Sequence, residues 1–189
     1  MKSLLIILSV LSSFLANLET KIFQTDFTIT VSEEINAPMN YPGSIVMRGD
    51  KFRLEMFGLD AAYDGKTLYM YSGETDELTL SNPTEEELLE ANPLRYAKAL
   101  VPVCNVTERT ITNNQSPITI ITLTPKDQSI GINRFTLRVR NDDLMPLSVE
   151  IKEGKKTSML KMKNPVFLSS SPVPFTITPD KDTYINDMR

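Results

Sequence analysis

Three consecutive carboxylates, Glu85, Glu86 and Glu87, and a single thiol, Cys104, are the side chains best suited to chemistry in this chain of 189 residues. The carboxylates suggest metal binding or acid–base work, and the thiol suggests nucleophilic attack. Neither group has the usual supporting cast. The sequence contains no histidine, which removes Ser-His and Cys-His catalysis and imidazole metal ligands together. One cysteine can form neither an internal disulfide nor a thiolate cluster. Thr84 precedes the carboxylates in capping-box spacing with Glu87, so they read as the solvated first turn of a helix. Cys104 follows Val-Pro-Val and reads as a buried, inert thiol. No cofactor is expected, and a binding protein is favoured over an enzyme.

Composition and short motifs agree. The 24 acidic and 20 basic residues leave a formal net charge of −4, which offers no footprint for nucleic acid. Arg48-Gly49-Asp50 reads as a turn. The glycosylation sequons are Asn105-Val106-Thr107 and Asn114-Gln115-Ser116.

The elements that must position a site are mostly strands. Alternation marks residues 25–34, 43–49, 50–58, 66–73, 116–125, 133–141, 145–154 and 156–164, with Asp64-Gly65 and Glu153-Gly154 among the turns. Short connections imply an antiparallel meander. Residues 82–102 interrupt it as a helix or helix pair broken at Pro93, with Leu88, Leu89, Leu94 and Leu100 forming an apolar face. The chain is thus expected to be mainly β, an antiparallel sheet curled into an unclosed β-barrel with a helical lid or plug over a hydrophobic cavity.

Shared strand faces place Phe27, Ile29, Phe52, Leu54, Met56, Phe135, Leu137, Val139, Leu147 and Val149 toward that cavity. Val46, Tyr69, Tyr71, Leu88, Leu89 and Leu94 are expected there too. Met47, Met56 and Met70 serve either as adaptable cavity lining or as ordinary core fillers.

The N-terminus has two readings. Residues 1–16, with an apolar run from Leu4 to Leu15, fit a signal peptide preceding a single domain at 17–189. The same segment fits an amphipathic helix, with Leu4, Leu8, Leu11, Leu15 and Leu18 three and four residues apart. No cysteine follows it to serve as a lipid anchor.

Four stretches in order carry a family resemblance. They are GSIVMRGDKFRLEM (43–56), YDGKTLYMY (63–71), ITLTPKDQSIGINRFTLRVRNDDLMPLSVEI (121–151) and VPFTITPDKDTYIND (173–187). Together they resemble the LolA family, soluble periplasmic carriers of outer-membrane lipoproteins. Arg48-Gly49 stands where the family has Arg-Pro, and Pro179-Asp180-Lys181 departs from its closing Pro-Pro segment. The resemblance implies a monomeric, exported, non-enzymatic carrier. Its cargo would be acylated lipoproteins, received from an inner-membrane lipoprotein-releasing ABC transporter and passed toward an outer-membrane acceptor. It also implies that Arg48 locks the lid in the empty state. The alternative on the same fold is a carrier or sensor of another lipid or amphipathic ligand.

Overall fold

The computed structural model describes residues 2–112 and 116–189, so the sequon at Asn114 lies outside the described residues. Helix α1 (Lys2–Thr20) leads into β1 (Ile22–Ser32), β2 (Met39–Arg48), β3 (Lys51–Met56), β4 (Leu59–Tyr63), β5 (Leu68–Ser72) and β6 (Glu77–Ser81). Two short helices follow, α2 (Glu85–Ala91) and α3 (Pro93–Leu100). The chain then forms β7 (Cys104–Ile111), β8 (Ile118–Pro125), β9 (Arg134–Arg140), β10 (Met145–Glu153), β11 (Lys156–Leu168) and β12 (Tyr184–Asp187).

These strands make one 12-stranded sheet in the order β12-β6-β5-β4-β3-β2-β1-β11-β10-β9-β8-β7. Two meanders, β1–β6 and β7–β11, are joined where β1 pairs antiparallel with β11. The sheet does not close, because β12 and β7 remain at opposite edges. The protein is an unclosed β-barrel with helices, the fold class expected from its sequence.

Period-two burial shows how the sequence builds the inner wall. In β9, Phe135, Leu137 and Val139 are buried while Arg134 and Arg138 are exposed. The main core joins such strand residues to all three helices, including Leu11, Phe14 and Leu18 of α1, Leu88 of α2, and Leu94, Ala97 and Leu100 of α3. Helix α1 therefore occupies the segment with two sequence readings and packs Leu11, Phe14 and Leu18 inward.

Four strands lie beyond the sequence expectation. β4 merges with its predecessor in the sequence pattern because the chain reverses at Phe57 (φ 60°) and Gly58 (φ 72°), and phenylalanine is no turn signal. β6 is only five residues long, β7 is largely polar, and β12 owes its conformation to parallel pairing with distant β6.

Candidate functional site

The helix pair sits over the inner wall because local capping fixes where each helix begins. Thr84 N–H donates to Glu87 Oε2 at 2.7 Å, and Glu87 N–H donates back to Thr84 Oγ1 at 3.3 Å. Asn92 then separates the helices. Its Oδ1 accepts from Leu94 and Arg95 N–H at 3.1 and 3.2 Å, and Pro93 fills the first position of α3.

Beneath this junction lies an apolar cavity of about 130 Å³. Its walls are Phe23, Thr25, Phe27 and Ile29 of β1, Ile45 of β2, Leu54 and Met56 of β3, and Leu160 and Met162 of β11. Ala91, Asn92 and Leu94 form its roof. The two polar residues present little to a ligand. Thr25 Oγ1 donates to backbone carbonyls of Asp26 and Lys163, and Asn92 Oδ1 is spent on the α3 cap. A second apolar space of about 170 Å³ shares Leu54, Met56 and Ala91, and continues along Phe52, Leu59, Ala61, Leu68 and Met70. A third, more polar space of about 330 Å³ lies beside Glu86 and Leu89 of α2, with Tyr96, Glu153 and Lys156.

Of the residues expected at the cavity, the structure brings Phe27, Ile29, Leu54, Met56 and Leu94 together there, and Phe52 beside them. Leu88, Phe135, Leu137, Val139 and Val149 are buried in the adjoining core and do not line the cavity. Leu89 faces the third space. Leu147 sits at the bulge between Pro146 and Ser148, half-buried and outside the core cluster. Val46 is buried but outside that cluster, because the inward positions of β2 are Ile45 and Met47. Tyr69 and Tyr71 pack instead with Ala62, Leu78, Leu80 and Ile177 in a separate cluster. Met47 belongs to the core, and Met70 lines the second space.

Arg48 also falls on the outward parity of β2. Its side chain is exposed and makes no hydrogen bond or ion pair to the helices among the described residues. Arg95 of α3 is the arginine that reaches both a helix and the barrel. Its Nη1 lies 2.5 Å from Asp50 Oδ1 in the β2–β3 turn, and its Nη2 lies 2.9 Å from both oxygens of Glu85. The same turn holds α1, since Gly49 N–H donates to Leu18 C=O at 2.8 Å. Lys98 of α3 pairs with Glu19 of α1.

The other reactive candidates are accounted for locally. Burial pushes the Cys104 thiol above its ordinary value, with Lys126 opposing, so little thiolate forms. Glu85 is engaged by Arg95, and bonds from Thr84 hold the Glu87 carboxyl below its ordinary value. Glu108 carries no sequence signal of its position. It points inward from β7, accepts from Leu11 N–H at 3.3 Å, and burial raises its pKa.

No protein-family model matches the sequence, and no curated protein matches it. Solved structures match in fold. An uncharacterized conserved protein from Thermus thermophilus superposes with a TM-score of 0.63 at 15% identity, covering 95% of this chain and 97% of that one. A chain of the Pseudomonas aeruginosa MucA/MucB complex gives 0.53 at 14% identity, over 90% of this chain and 60% of the other. The LolA superfamily protein NE2245 from Nitrosomonas europaea gives 0.41 at 12% identity, over 87% and 94%. The fold is shared with the first two. No helix among the described residues is long and apolar enough to cross a membrane.

Proposed function

We propose that the protein is a carrier that shelters the acyl chains of lipoproteins in the cavity beneath α2 and α3. The observation that carries this reading is the cavity's lining, which is apolar apart from two side chains whose oxygens are already bonded. Such a surface has little with which to orient a polar metabolite. Hydrocarbon entering it gains about 25 cal/mol per Å² removed from water.

Size argues for a moving lid. A dry apolar cavity of about 150 Å³ admits a molecule no larger than benzene, and the space here is about 130 Å³. An acyl chain needs more. Residues of α2 border all three spaces, and its last residue, Ala91, is common to the two apolar ones, so displacing α2 joins them. Binding and handover without covalent chemistry follow as the mode of action.

In its fuller form, the reading makes this an exported periplasmic protein that receives lipoproteins from an inner-membrane releasing transporter and delivers them to an outer-membrane acceptor. The sequence resemblance supports that form. Native purification followed by mass spectrometry of what co-purifies tests it. Acylated lipoprotein is the expected companion. Free glycolipid would move the reading to another carrier or sensor on this fold, and a water-soluble metabolite would overturn it.

A further inference from the structure

The outer face of β7–β11 carries charge that the cavity does not use. Pairing register aligns Arg109, Ile120, Arg138, Ser148 and Lys161 in one row across those five consecutive strands. Arg109, Arg138 and Lys161 are exposed, and none has an ion-pair partner among the described residues. Carboxylates flanking the row are engaged or at its edge: Glu150 is held by Arg134 at 3.2 Å, Asp143 by Arg140, and Asp26 lies at the far side on β1. A basic row in a chain of net charge −4 runs against the charge of the whole.

Geometry narrows what could sit on it. A cation occurs on every second strand, a repeat of about 9.5 Å at ordinary strand spacing. An extended β-strand points every third side chain to alternate faces and would meet only half the cations. An α-helix repeats its face after seven residues, about 10.5 Å, and overshoots at each step. A polyproline II segment repeats every third residue, about 9.3 Å, and leaves its backbone carbonyls free to accept. Ile120, Arg138 and Ser148 of the row also line a groove of about 280 Å³, together with Thr122, Thr136, Met159 and the ion-paired Arg134 and Glu150. A narrow chain can use that groove, whereas a bilayer surface cannot enter it.

We propose that this row docks an acidic segment of a partner protein, held in polyproline II conformation with a carboxylate at every third residue. The guanidinium groups of Arg109 and Arg138 offer forked donors for two of those carboxylates, and Lys161 a point charge for the third.

The test uses the full chain and a labelled peptide of Glu-Pro-Pro repeats, compared by fluorescence anisotropy with a peptide of the same composition whose glutamates are contiguous. The repeat peptide should bind, weaken as salt rises, and outcompete the contiguous one by about tenfold. Arg109→Glu and Arg138→Glu, both exposed and checked for folding by circular dichroism, should each weaken it by about tenfold or more. Lys66→Glu, in the turn between β4 and β5, should leave it unchanged. Equal binding of the two peptides, or wild-type binding by the charge-reversed variants, would overturn the proposal. Binding to phosphatidylglycerol vesicles with none to the repeat peptide would overturn it as well, in favour of a membrane surface.

Discussion

Arg95 Nη1 lies 2.5 Å from Asp50 Oδ1 without an aligned hydrogen bond, an ion pair between α3 and the turn joining β2 to β3. The guanidinium is mostly buried, but its partners Asp50 and Glu85 are exposed, with side chains 60% and 69% accessible. Water at the carboxylates holds each pair to about 0–1 kcal/mol. On the proposed carrier reading, a latch of that strength would close an empty cavity without preventing its opening.

Arg95→Ala should therefore cost only about 1 kcal/mol in chemical denaturation and should speed uptake of a fluorescent fatty acid in stopped flow. Arg48→Leu should change neither, since that side chain faces away from the helices. Slower uptake by Arg95→Ala would show that the contact shapes the open state and does not hold the closed one.

Helix α1 contributes Leu11 and Phe14, both almost fully buried, to the main core. Phe14→Ala should destabilise by about 3–5 kcal/mol. A chain beginning at Asn17 loses both side chains and should melt well below the full chain. N-terminal sequencing of the native protein separates the two readings of this segment: a retained α1 supports the helix reading, and a mature start at Asn17 the signal-peptide reading.

Glu108 should make the packing of α1 depend on pH. Burial raises its pKa above the ordinary 4.5, with the Leu11 hydrogen bond opposing in part. The folded chain thus holds this proton more tightly than the unfolded one. The stability linked to this group is present below 4.5 and is lost as pH rises through the raised value. Glu108→Gln keeps an acceptor for Leu11 and has no charge to desolvate. It should raise the melting temperature at about pH 7 and narrow its advantage over wild type at about pH 4.

Gly43 is required by a close approach. A Cβ there would lie 2.5 Å from Phe27 Cζ and 2.7 Å from the Glu55 carbonyl oxygen, and the latter cannot rotate away. Gly43→Ala should cost about 1–3 kcal/mol and, by shifting Phe27, weaken ligand binding more than it weakens the fold.

The inner wall was legible where strands alternate cleanly. Phe27 and Ile29 in β1, and Leu54 and Met56 in β3, are separated by polar or charged residues that fix the phase. Ile45, Val46 and Met47 run together, so their sequence gives no phase, and Arg48 shares the outer face with Val46. Tyr69 and Tyr71 misled for a related reason. Ile177, more than a hundred residues away in sequence, packs into their cluster and gives the outer face of β5 an apolar neighbour. Arg95 had no local signal either, because one of its partners is in the β2–β3 turn and the other at the start of the preceding helix.

The most direct measurement is a titration of a fluorescent fatty acid into wild type and Leu54→Trp. Leu54 borders both apolar spaces, so the larger side chain fills the cavity from its wall. Wild type should bind the probe at one site, and Leu54→Trp, with its β-sheet circular dichroism intact, should bind it at least about tenfold more weakly. Undiminished binding by the folded variant, or no binding by wild type, would contradict the claim that this cavity carries the ligand.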